Sequence, residues 1–120
     1  MLRLSASAEA NIISIFAWTE DRFSHNARRR YQALLVTALR DIASDPERPG
    51  SISRPELGPA IRSYHLRHSR ERAGAIDGTV RMPRHVLLYR AIVPDIIGVG
   101  RVLHDAMEAE RNLPADYGDR

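Results

Sequence analysis

The sequence predicts an α+β fold, with an N-terminal strand and an antiparallel helix hairpin packed on a small antiparallel β-sheet, followed by a short C-terminal helix. Three observations carry this expectation. Apolar residues recur at helical spacing through residues 12–42. Segments of strand length rich in Ile, Val, Leu and Tyr follow residue 60. Between them, SDPERPGSISRPELGP concentrates four prolines and two glycines, which continue neither helix nor sheet. A chain of 120 residues is the size of one domain with one modest core, so one domain over residues 1–120 is expected.

Leu2 and Leu4 share one face of a short first strand, with Arg3 on the other. Ser7 is placed to cap the first helix, with Glu9 in its first turn, where negative charge suits the helix dipole. Ile12, Phe16, Thr19 and Phe23 then repeat at helical spacing, and the helix should end near Arg22. Ser24 caps a second helix in which Tyr31, Leu34, Leu35, Ala38, Leu39 and Ile42 form the apolar stripe. The connection FSHN is short enough to fold the two helices back on each other. Beyond the proline-rich loop, AIRSYHL, HVLLYRAIV and IIGVGRVLH read as strands, the last two joined tightly through Pro94-Asp95. Residues 67–84 contain the turn signal Asp77-Gly78 between Ile76 and Val80, which predicts an extended hairpin arm. The tail from Asp105 forms helix up to Asn112 and is stopped by Pro114.

Composition removes several function classes. There is no cysteine, hence no disulfide, thiol nucleophile or iron-sulfur cluster. No run reaches the roughly 20 apolar residues of a membrane span and no signal-peptide core opens the chain, so a cytoplasmic protein is expected. All 18 basic residues are arginine, which binds phosphate and carboxylate well and shuttles protons poorly. Proton transfer would fall to His, Asp, Glu or Tyr. The net charge of +3 favours acidic partners, although it is too small to identify a nucleic-acid binder.

Three stretches in order, RPELGPAIRSYHL (54–66), RHVLLYRA (84–91) and IIGVGRVLHDAMEAERNLP (96–114), resemble the signature of the ParE branch of the RelE/ParE toxin superfamily. The likeness runs from the Ser-Ala-Glu-Ala opening of the first helix to Leu113. It implies a small bacterial toxin, neutralised by an antitoxin that is ParD-like or otherwise acidic, with a helical hairpin packed on an antiparallel sheet. Members of the ParE branch act mostly by binding DNA gyrase and trapping it on cleaved DNA. RelE-like members instead cut mRNA on the ribosome, using basic residues with Tyr or His. One departure stands out: where the commoner ending carries an Arg-Asp pair after the histidine, this chain has Met107-Glu108.

Cleaving RNA through its own 2′-hydroxyl needs a base, an acid and cations for the transition state. His104 is the best proton carrier, with Arg62, Arg90 and Arg101 as phosphate clamps from the three strands. Against this endonuclease reading, Asp105, Glu108 and Glu110 beside the same cleft would repel phosphate. His104 is instead expected to close the last strand and position the tail, and Tyr64 and Tyr89 to be core. The residues assigned to partner binding are Arg67, Arg70, Arg72, Arg81 and Arg84 of the arm, with Arg90, Arg101 and His104. Arg28, Arg29 and Arg30 form a second basic cluster, read as solvated. His25, His65, His68, His85 and His104 show no metal-ligand spacing, and Gly98-Val99-Gly100 lacks the helix start of a phosphate loop. The sequence therefore points to a toxin that inhibits by protein binding, with DNA gyrase as the implied target, an antitoxin as partner, no cofactor or metal, and direct nucleic-acid binding not primary.

Overall fold

The computed structural model describes residues 1–107 and 109–119, and of residues 75–77 the backbone alone. In chain order the elements are β1 (Leu2–Leu4), α1 (Ala6–Arg22), α2 (His25–Ser44), β2 (Ser51–Ser53), β3 (Arg62–His65), α3 (Arg70–Asp77), β4 (His85–Val93) and β5 (Ile96–His104). The five strands form one sheet in the order β1-β5-β4-β3-β2. Three of its ladders are antiparallel as expected, whereas β1 joins parallel to β5, pairing Leu2 with Ile97 and Leu4 with Val99. β2 lies inside the stretch read as loop, and pairs Ser51–Ser53 with β3 at the sheet edge.

Helix starts follow serine chemistry. The expected cap of α1, Ser7, is the second residue of the helix; Ser5 caps it, accepting from the Ala8 amide at 3.0 Å. Its hydroxyl also donates to the Gly100 carbonyl at 2.7 Å, so one buried serine joins the first turn of α1 to β5. Ser24 caps α2 as expected, accepting from the Ala27 amide.

The hairpin covers one face of the sheet. Leu34, Ala38 and Ile42 of α2 meet Tyr64, Leu87, Tyr89 and Val99 in a core where all are fully buried. Burial of each large side chain contributes roughly 1.5–3 kcal/mol. Ile12, Ile15 and Phe16 pack against the edge of this core, but α1 leaves Ile13, Trp18 and Phe23 in water, against the expectation that Phe23 extends the buried stripe. The opposite face carries a smaller core of Leu57, Ile61, Leu88, Leu103 and Tyr117.

Two expectations fail for physical reasons. Residues 67–84 do not form an extended hairpin arm: Leu66–Ser69 make a 3-10 turn and Arg70–Asp77 are α3. The run RERA is good helix former, and the segment is pulled in by Asp41, a buried carboxylate of α2. Ser69 donates to Asp41 Oδ2 at 2.7 Å, Tyr64 meets Ser69 Oγ at 2.8 Å, and Arg72 of α3 and Arg48 both reach Asp41 Oδ1. Gly78, at φ 96°, then ends the helix in a conformation that favours glycine, so Asp77-Gly78 marks a stop and not a hairpin tip. The side chain of Ile76 lies outside the described residues.

Among its described residues the tail likewise makes only a 3-10 turn, at Ala109–Arg111, before Pro114. From there to Tyr117 it lies flat on β5, which explains the two glycines of that strand. A Cβ on Gly98 would come within 2.1 Å of the Tyr117 carbonyl oxygen, and one on Gly100 within 2.5 Å of Pro114 Cγ.

Candidate functional site

A cavity of about 580 Å³ opens where the elbow of the helix hairpin meets residues 79–84 and the ends of β4 and β5. Trp18, Phe23 and Tyr31 form its helical wall, Val80 and Met82 the facing wall, and His85 and His104 belong to the sheet end beneath. The lining is mainly apolar, yet Trp18 is 54% exposed, Phe23 68% and Met82 70%. Trp18 and Phe23 stack edge to face at 5.7 Å, and the Arg22 guanidinium lies 5.6 Å from the centre of the Trp18 ring. Arg30, Arg81 and Arg84 complete the lining, and no carboxylate of the described residues lines the cavity.

The sheet end is a cluster of titratable groups. β4 starts and β5 stops at one level, so His85 pairs with His104, their rings edge to face at 5.5 Å. Counting outward from the Pro94-Asp95 turn gives this pairing, because the two bulges of the β4–β5 ladder compensate. Tyr31 of α2 accepts from the Arg84 amide at 3.1 Å, which leaves its hydroxyl proton for His85 Nδ1 at 2.5 Å. His104 Nδ1 accepts from the Ala106 amide at 3.1 Å. In their neutral forms both imidazoles therefore carry hydrogen on Nε2. Burial, then the neighbouring His104, lowers the His85 pKa to about 4, and burial raises that of Tyr31 to about 12.

His65, at the end of β3, joins the cluster through Asp105. Its Nδ1 accepts from the Arg67 amide at 3.1 Å, so Nε2–H donates to Asp105 Oδ2 at 3.0 Å. That hydrogen bond, aided by Arg84 at 3.2 Å from Oδ1, holds the Asp105 carboxyl below its ordinary range.

The family model of the ParE toxin of type II toxin-antitoxin systems, parDE, matches residues 2–109. The chain belongs to this ParE toxin family. Toxins of the family pair with a cognate antitoxin. No curated protein matches the chain. Among the described residues no helix is long and apolar enough to cross a membrane.

In this ParE-family toxin the arginines assigned from sequence are dispersed. Arg62 donates to Ser51 Oγ at 2.7 Å and lies 3.8 Å from Glu47 at the β2 edge. Arg90 bonds Asp119 at 2.5 Å and lies over the Tyr117 ring. Arg101 donates to Asn11 Oδ1 at 2.9 Å and to the Asn112 carbonyl. None of these three lines the cavity with His104. Of the segment 67–84, Arg67 is exposed on the 3-10 turn, Arg70 donates to the Arg81 carbonyl at 2.9 Å, and Arg72 is taken up by Asp41. Arg81, Arg84 and His104 do line it. Glu108, one of the acids weighed against RNA binding, lies outside the described residues. Sequence reasoning missed Trp18, Tyr31, Met82 and His85 as site residues. For Trp18 the signal was an aromatic off the apolar stripe of α1, and for His85 the count from the turn.

Proposed function

We propose that this ParE-family toxin acts by binding and inhibiting a protein, DNA gyrase, and that its antitoxin neutralises it by laying an acidic, apolar segment in the cavity rimmed by Trp18 and Met82. The observation that carries this reading is the lining itself: exposed large apolar side chains, three arginines, and no carboxylate among the described residues. Such a surface complements an amphipathic helix or strand with Asp and Glu beside its apolar anchors.

The competing reading is an mRNA endonuclease with His104 as acid and base and Arg62, Arg90 and Arg101 as clamps. It draws on the histidines gathered at the sheet end. Three features weigh against it: the clamps are engaged with internal partners, His85 holds a proton too weakly for neutral pH, and Tyr31 holds its proton too tightly.

Toxin freed of antitoxin is assayed in parallel for gyrase supercoiling with trapping of cleavage complexes and for mRNA integrity on translating ribosomes. Inhibited supercoiling with intact mRNA is the expected result. Cut mRNA with unaffected gyrase would transfer the function to His104.

A further inference from the structure

The cavity lies against the His85–His104 pair, and the arrangement of that pair has a direction. Both Nδ1 atoms are occupied as acceptors, His85 by the Tyr31 hydroxyl and His104 by the Ala106 amide. What remains on each ring is a donor at Nε2 when neutral; protonating Nδ1 gives the ring a full positive charge and gives up the hydrogen bond that this atom accepts. Charges around the pair come from every neighbouring element: Tyr31 and Arg30 from α2, His65 from β3, Arg81 and Arg84 from the segment before β4, and Asp105 after β5. Asp105 is the only carboxylate of this corner among the described residues; its oxygens serve His65 at 3.0 Å and Arg84 at 3.2 Å, and Oδ1 lies a longer 3.6 Å from His104 Nδ1. The corner thus has donors and positive charge in excess of its own anion.

We propose that the His85–His104 pair is a carboxylate seat: an Asp or Glu of the docked antitoxin segment rests on it, and seating takes up one proton from solvent onto the pair. This rests on the docking reading given above and adds its regulation. In the free toxin His85 is disfavoured from charging by burial and then by the neighbouring His104, with His65 and Arg84 adding to this and Asp105 opposing it. A carboxylate brought into the cavity reverses the balance, because it favours the imidazolium over the neutral ring and is itself stabilised by the charge. The affinity of the pair for a proton is therefore higher in the complex than in the free toxin. Binding is then strongest at low pH and weakens as pH rises through the value the pair takes in the complex. One linked proton sets a limit of about tenfold in Kd per pH unit.

The test uses the full toxin and its purified cognate antitoxin. Calorimetry at pH 6, 7 and 8, in pairs of buffers differing in ionisation enthalpy, counts protons taken up on binding. About one proton and a Kd rising towards tenfold per unit are expected. His104→Gln and His85→Gln should each flatten that slope while circular dichroism shows the folded chain. His104→Gln alone decides if the more buried His85 variant fails to fold. Trp18→Ala and Met82→Ala report separately on docking. If they leave affinity unchanged, the cavity is not the docking site and the reading beneath the proposal falls. If they weaken binding while no proton is taken up, or while uptake persists in His104→Gln, docking stands and the carboxylate seat is overturned. A short single-stranded RNA oligonucleotide is the second arm, and RNA binding with the same His104-dependent uptake would reassign the seat to phosphate.

Discussion

The Tyr31 hydroxyl joins α2 to the first residues of β4, accepting from the Arg84 amide at 3.1 Å and meeting His85 Nδ1 at 2.5 Å. Tyr31→Phe removes both bonds and leaves a partly buried amide and a ring nitrogen without partners. Unsatisfied groups of this kind cost about 1–3 kcal/mol. Urea unfolding should show that loss, and imidazole nitrogen spectra should show His85 redistributing between tautomers. An unchanged His85 spectrum would mean the hydroxyl does not fix the ring.

Acid should destabilise the fold through the same histidine. His85 has a folded pKa of about 4, while an unfolded histidine stays near 6.5. Between these values the unfolded chain binds more protons, so stability is complete above about pH 6.5 and declines as pH falls towards 4, by about 3 kcal/mol at most. Asp105, held low first by the His65 hydrogen bond, adds a further loss at still lower pH. Denaturation midpoints at pH 7 and pH 4.5 measure the effect, and His85→Gln should reduce the difference. Equal differences in the two proteins would assign the acid sensitivity elsewhere.

Asp41 separates structural arginines from binding ones. Its carboxylate is 3% exposed, whereas the Arg72 side chain that reaches it is 64% exposed. Asp41→Ala should cost about 2–3 kcal/mol, at or below the lower part of the range for a broken buried pair, because Arg72 regains water. Arg72→Ala should lower stability and leave antitoxin affinity within about twofold, whereas Arg81→Ala should weaken binding with little change in stability. A loss of antitoxin affinity in Arg72→Ala as large as that in Arg81→Ala would restore Arg72 to the interface.

Trp18 offers a direct readout, being the chain's single tryptophan and lying on the cavity wall. Antitoxin binding should shift its emission to the blue as water leaves the indole. Trp18→Ala should weaken binding by about 2 kcal/mol, or roughly thirtyfold, and change stability by under about 0.5 kcal/mol. Emission that does not move on saturation with antitoxin would place the contact on another face.

Gly100→Ala tests the tail. The added methyl meets Pro114 and Tyr117, so either the tail lifts from β5 or the strand deforms, at about 1–3 kcal/mol. Faster chymotryptic cleavage at Tyr117 than in the parent protein is the expected sign. Equal cleavage rates would show that the tail accommodates the methyl in place.

Much of the architecture was legible because it is local. β4 and β5 have their limits in strand-length runs rich in Ile, Val, Leu and Tyr on either side of Pro94-Asp95, and α2 in its apolar stripe and Ser24. What was hidden depends on partners distant in sequence. α3 exists because Asp41 waits beneath Ser69 and Arg72, which no window around Asp77-Gly78 reveals. β2 is three residues of a proline-rich stretch that become a strand only because β3 is there to pair with them. In the site, His104 was visible and its meaning was not, since Tyr31 and His85 reach it through helix packing and strand register. The arginines were overrated for a related reason: sequence displays their charge but not the carboxylates and carbonyls that use it up.

The arginine rim of the cavity also bears on time. Arg30, Arg81 and Arg84 extend a positive field into solvent, and such a field acts on a partner before contact. It governs how quickly an acidic segment arrives, whereas Trp18 and Met82 govern how long it stays. Added salt should therefore slow capture and leave release nearly unchanged, so that a toxin shed by its antitoxin is recaptured fastest where ionic strength is low.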